Sequence, residues 1–153
     1  MDVTPKGKVN SWTSIFRLKD SAKDKDCCDV GNRIPAVFFH KGSTKLHICS
    51  AINGKGNDCY NSKEIPMNKK TNIVIRQVHQ YDNKYRFSVL LDGTEQQDSV
   101  KINTQALEYT NVKMFAGDEH YEPANAELDN IQFNNLGMSL DPEVFHVSFK
   151  HVY

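Results

Sequence analysis

Residues 71–93 read TNIVIRQVHQYDNKYRFSVLLDG. In the second half, Tyr85, Phe87, Val89 and Leu91 fall on one face of an extended chain and Arg86 and Ser88 on the other, because side chains alternate with a period of two along a strand. Asp92-Gly93 then reverses the chain, since both residue types accept the positive φ of a tight hairpin turn. The preceding run, NIVIRQVHQ, is short, apolar and rich in β-branched residues that suit a pleated, half-buried surface.

The same texture recurs outward in both directions. SWTSIFRL, IPAVFFH, KLHICSAI, VKMFA, ELDNIQF and VFHVSFKHVY are short runs rich in Val, Ile, Phe and Tyr, set between turn signals. Helical periodicity is almost absent, and this many strands at such spacing implies an all-β sandwich or barrel. RIPAVFFH shows no alternation, so it is expected to be buried on both faces, with Pro35 near its start where a missing ladder donor is tolerated. In VFHVSFKHVY, Phe145, Val147 and Phe149 alternate with His146, Ser148 and Lys150, the pattern of a strand dry on one side and wet on the other.

A chain of 153 residues suits one domain, here 1–153, and the tract KDSAKDKDCCDVGN at 19–32 is its one long polar, cysteine-bearing loop. Hydrophobic residues make up 39% and charged residues 25%, with formal net charge zero, so global charge argues for neither nucleic acid nor a membrane surface as partner. The longest apolar stretch, Ile34 to Phe39, is too short to span a bilayer, and the opening MDVTPKGKVNSW has no apolar signal core. Locally the charge is uneven. Between Lys113 and Lys150 there is no Lys or Arg, while Asp118, Glu119, Glu122, Glu127, Asp129, Asp141 and Glu143 all fall there.

Cys27, Cys28, Cys49 and Cys59 admit three complete pairings. Cys49 and Cys59 flank SAINGKGND, where Asn53-Gly54 favours a tight reversal, so the two are placed to face each other across a hairpin. Cys27 and Cys28 are left unassigned. The spacing lacks the paired CxxC knuckles of structural zinc sites, and disulfides with an oxidising, secreted or extracellular compartment are expected. No Asn-x-Ser/Thr acceptor is present.

The order of these features, from WTSIFRL through GNRIPAVFFHKGSTKLHICSAING and the Y-x-F-x-V-x-x-D-G hairpin to NVKMFAGDEHYEPANAELDNIQFNN, resembles the concanavalin A-like superfamily. The nearest likeness is to its laminin G-like and pentraxin-like jelly-roll domains. The resemblance implies two antiparallel sheets with first and last strands side by side. It also implies an extracellular adhesion or lectin-like role and a ligand site on rim loops or a sheet face.

The candidate chemistry concentrates in GDEHYEPANAELD, residues 117–129. As a binding rim it offers Asp118, Glu119, His120, Tyr121 and Glu122. As a metal site its candidates are Asp118 and Glu122, and Ca2+ is the cation the resemblance implies, since a hard ion wants carboxylate and carbonyl oxygens. As a plain corner, Gly117 permits a sharp exit, Pro123 fixes the bend, Tyr121 packs back on the sandwich and the acids stay in water. A divergent glycoside hydrolase would use Glu127 and Asp129. However, Gln132 or Ile131 stands where a third carboxylate is required, and an amide cannot act as general acid. His40, His47, His79, His120, His146 and His151 are scattered, each expected on the solvated side of a strand.

The resulting expectation is a non-catalytic extracellular recognition or adhesion module that binds a glycan or an extracellular protein. A structural subunit of a matrix or filament, with self-association through the acidic C-terminal third, is the alternative.

Overall fold

In the computed structural model, residues 1–21 and 28–134 are described, together with the backbone of 145–146. The strands are β1 (Asp2–Pro5), β2 (Thr13–Asp20), β3 (Ala36–Phe39), β4 (Lys45–Ile52), β5 (Lys55–Glu64), β6 (Thr71–Tyr81) and β7 (Lys84–Leu91). They are followed by β8 (Thr94–Glu95), β9 (Lys101–Asn103), β10 (Val112–Phe115), β11 (Glu122–Pro123), β12 (Ala126–Asp129), β13 (Gln132–Phe133) and β14 (Phe145–His146). Among the described residues, a single 3-10 turn at Gln97–Ser99 is the only helical element and no helix is long and apolar enough to cross a membrane.

Two six-stranded sheets carry the fold. One runs β12-β1-β6-β7-β8, with β9 also on β7, and the other runs β10-β2-β3-β4-β5, with β11 on β2. Pairing is antiparallel except between β11 and β2, which run parallel. β13 and β14 form a separate two-stranded ribbon. Most of VFHVSFKHVY, and with it the alternation of Phe145, Val147 and Phe149, lies outside the described residues, as does Cys27.

The hairpins form where the turn chemistry demands. Asn53-Gly54, Asp82-Asn83 and Asp92-Gly93 all hold positive φ at both residues, which matches the right-handed twist of the strands they join. The β6–β7 hairpin at the centre of the 71–93 stretch pairs Ile73 with Leu91 and Ile75 with Val89. Phe87 and Val89 are buried, as the alternation predicts.

A single core cluster lies between the sheets. Val3, Ile73, Phe87 and Val89 from the first pack with Ile15, Phe16, Leu18, Val37, Phe39, Leu46, Ile48, Ile52 and Tyr60 from the second. β3 is buried along its whole length and Pro35 precedes it, as expected for a strand covered on both faces. β2 is buried almost as completely. Leu18 N–H donates to the Pro35 carbonyl and Ala124 N–H to that of Ser14, the Arg17 guanidinium meets Asp118 and Glu119, and Ser14 and Arg17 are 1% exposed.

The outer face of the other sheet is polar, yet ordered. Glu95 accepts two bonds from Arg86, both 2.6 Å, and a third from Arg76 at 2.9 Å. These bonds lower its pKa from 4.5 to about 2. A carboxylate whose folded pKa is depressed contributes stability above its unfolded pKa and loses it as pH falls through the folded value. The thermal midpoint is therefore expected to fall between pH 4.5 and about 2. Glu95→Gln should show a flatter pH profile in that window, measured by melting both proteins across it.

Candidate functional site

The corner at 117–123 begins where β10 leaves the sheet. Gly117 takes φ 118, which L side chains rarely adopt, and the turn drives Asp118 inward instead of into water. Its side chain is 1% exposed and lies 3.4 Å from Nη1 of Arg17, itself 1% exposed. The other Asp118 oxygen accepts the His120 backbone N–H at 2.8 Å. Glu119 bridges Arg17 Nη2 at 3.3 Å and Lys19 Nζ at 3.4 Å. The bonds from Arg17 and then Lys19 hold its carboxyl below the usual range. The Arg17 guanidinium also lies over the Phe115 ring at 5.1 Å.

Glu122 accepts from Ser11 Oγ at 2.9 Å, and Tyr121 meets Phe38 edge to face at 5.3 Å. The five predicted rim residues thus sit in one corner, but two of their carboxylates are neutralised by β2. A cation at Asp118 would meet the Arg17 guanidinium, whose repulsion in a dry setting is strong. Tyr121 packs back on the sheet as the plain-corner reading has it, whereas Asp118 is buried.

Glu127 and Asp129 share one face of β12, register-paired with Thr4 and Asp2 of β1. Each carries its own lysine: Lys6 Nζ lies 2.9 Å from Glu127 and Lys70 Nζ 3.0 Å from Asp129.

A second group of side chains assembles beside Tyr121. Phe38, His40 and His47 project from the outer face of β3, its continuation and β4, where the register opposes Phe38 to His47 and His47 to Asn61. Trp12, just before β2, lies 4.4 Å from the His40 ring and 5.0 Å from His47. The two imidazoles meet edge to face at 5.3 Å. His40 Nε2 is 2.8 Å and His47 Nδ1 2.6 Å from the same atom, Asn61 Oδ1. A carbonyl oxygen only accepts, so both ring nitrogens donate to it.

Burial, which outweighs the Asn61 bond, pushes the His47 pKa down, and His40 and Arg33 add to the effect. Arg33 lies over Phe38 at 4.9 Å and donates to Asn57 Oδ1.

No family model, curated protein or solved structure matches the chain.

The second group is an indole 37% exposed lying against two imidazoles, with Asn61 bonded to both rings and Ser11, its chain neighbour, bonded to Glu122. A flat apolar surface with a few fixed polar partners is the composition of a small-ligand subsite. In the sequence alone the histidines stand as separate solvated residues. The signal that unites His40 and His47 is their position on either side of the KGST turn, which antiparallel pairing of β3 with β4 brings onto one face.

The expected Cys49–Cys59 bridge is present, with the two Cα atoms 4.1 Å apart at directly opposed positions on β4 and β5. Cys28 is also disulfide-bonded. Among the described residues, one group of three His, Cys, Asp or Glu side chains converges closely enough to hold a metal ion: His47, Cys49 and Cys59.

Proposed function

We propose that this chain is a non-catalytic extracellular recognition module, a jelly-roll sandwich of the concanavalin A-like kind, that binds a saccharide over Trp12. The fold reading is supported by two sheets around one core and by β1 lying beside the late strand β12. The Cys49–Cys59 bridge suits an oxidising compartment.

The observation that carries the binding reading is the part-exposed indole of Trp12 lying against His40 and His47, whose rings share the acceptor Asn61 Oδ1. A pyranose ring has an apolar face of C–H groups and an equatorial belt of hydroxyls. The first stacks on an aromatic ring and the second needs fixed donors and acceptors at its edge. Tyr121 and Glu122 from the acidic corner and Ser11 from the loop before β2 complete that edge. Catalysis is disfavoured because Glu127 and Asp129 are each paired with a lysine and stand without a third carboxylate.

A glycan array probed with the wild-type protein should identify a ligand whose binding survives EDTA, since Arg17 occupies the position a cation at Asp118 would need. Trp12→Ala should weaken that ligand at least tenfold, a loss of about 1.4 kcal/mol, with its melting temperature close to wild type. Absence of any glycan signal from the folded wild-type protein, or undiminished binding by Trp12→Ala, would overturn the reading.

A further inference from the structure

We propose that His47, Cys49 and Cys59 form a Zn2+ site that opens when the Cys49–Cys59 disulfide is reduced. This goes beyond saccharide recognition and does not depend on it, although His47 serves both.

The placement follows from strand geometry. Cys49 and Cys59 oppose each other directly, and His47 stands two residues before Cys49 on the same strand, hence on the same face. Their ligating atoms all lie within 4.8 Å of one another. Two thiolates and an imidazole are the donor set that a borderline-soft cation prefers over calcium or magnesium. In a tetrahedral zinc site with Zn–S bonds of about 2.3 Å, the sulfurs stand about 3.8 Å apart. Rotation of the freed Cys59 side chain across a Cα–Cα distance of 4.1 Å reaches that separation.

The scaffold does not rely on the disulfide for this register. Pairings of His47 with Asn61, Ile48 with Tyr60 and Ser50 with Asp58 continue on both sides of the cysteines, and Ile48 and Tyr60 are anchored in the core. Asn61, which holds the His47 ring at 2.6 Å, is the outer partner that orients a metal-binding imidazole.

Access is asymmetric: Cys49 is fully buried and Cys59 half-buried. A small thiol, as its thiolate, attacks the Cys59 sulfur and expels the Cys49 thiolate, leaving a mixed disulfide. A second thiol displaces Cys59 and leaves as the oxidised small disulfide. Two electrons pass from the reductant to the protein. Zn2+ then displaces one proton from each thiol.

The test uses the Cys27→Ser/Cys28→Ser protein, in which these are the two remaining cysteines. A water-soluble phosphine, itself oxidised to the phosphine oxide with water supplying oxygen, replaces the thiol so that the reductant does not compete for metal. The reduced protein is expected to bind one Zn2+ per chain with its sheet circular dichroism intact. Co2+ in its place should give thiolate charge-transfer absorption, and the oxidised protein should bind neither. His47→Ala should weaken zinc binding at least tenfold. The proposal is overturned by any of three results: no uptake after reduction, equal uptake by His47→Ala, or uptake accompanied by loss of the sheet signal. Saccharide binding is measured on the oxidised protein, so failure of one reading leaves the other standing.

Discussion

Arg17→Ala is expected to cost about 3–5 kcal/mol of unfolding free energy, because it leaves a buried carboxylate without its counter-ion. Both Arg17 and Asp118 have side chains 1% exposed. The guanidinium supplies the Asp118 carboxylate with its counter-charge, ties down Glu119 and covers Phe115. Lys19 shares the charge on Glu119. Removal of Arg17 therefore leaves Asp118 buried without its ion-pair partner, and its movement toward water pulls the 117–123 corner off β2.

The double variant Arg17→Met/Asp118→Leu separates charge from packing. Buried ion pairs replaced by apolar residues of similar volume are often neutral, so it should recover most of the loss. Urea denaturation of the three proteins measures both numbers. A loss below about 1 kcal/mol for Arg17→Ala, the range of solvent-exposed pairs, would show that water reaches the pair.

The contrast between that ion pair and the sequence that encodes it explains what could be read in advance. The hairpins were legible because their determinants are local. Asn53-Gly54 and Asp92-Gly93 specify turn and register within four residues, and the Cys49–Cys59 bridge follows from the first of them. β3 was legible because an unbroken apolar run has no wet face to offer.

The acidic corner was legible at Gly117, but Pro123 lies in the short strand β11 instead of fixing a bend, and the fate of the charges was not legible. Arg17 lies 102 residues from Glu119 in sequence, and the parallel pairing of β11 with β2 that brings them together has no local sequence signal. The same limit hid the Trp12, His40 and His47 group, whose members come from three separate segments. It also hid the ligand set His47, Cys49 and Cys59. Metal knuckles are recognised by spacing along one chain segment, whereas this set is assembled by opposing two strands.

Gly56→Ala is the second large effect expected, and it acts on the 28–30 segment. Gly56 does not hold a positive φ, so its role is space and not backbone freedom. A Cβ there would stand 2.3 Å from the Cys28 carbonyl oxygen, 2.3 Å from the Asp29 carbonyl carbon and 2.5 Å from the Val30 nitrogen. All three are backbone atoms, so no rotamer change relieves the overlap, and the 28–30 segment must move away from β5. Insertion of atoms into packed surroundings costs about 3 kcal/mol at the upper end of the usual range.

The displacement carries further, because Arg33 follows that segment. Its reach to Asn57 Oδ1, next to Gly56, and its position over Phe38 both depend on the close approach. Phe38 in turn supports Tyr121 and lies 6.3 Å from His47. Gly56→Ala should therefore lower both the urea midpoint and the affinity for any saccharide bound at the proposed Trp12 site. Gly42→Asn supplies the control. Gly42 needs a positive φ of 64° but has nothing within 4 Å of its Cβ position, and asparagine tolerates that conformation, so stability should change by less than about 1 kcal/mol. Equal, small losses at the two positions would mean that the 28–30 segment does not rest on Gly56 in solution, and the coupling between that loop and the Trp12 face would fall with it.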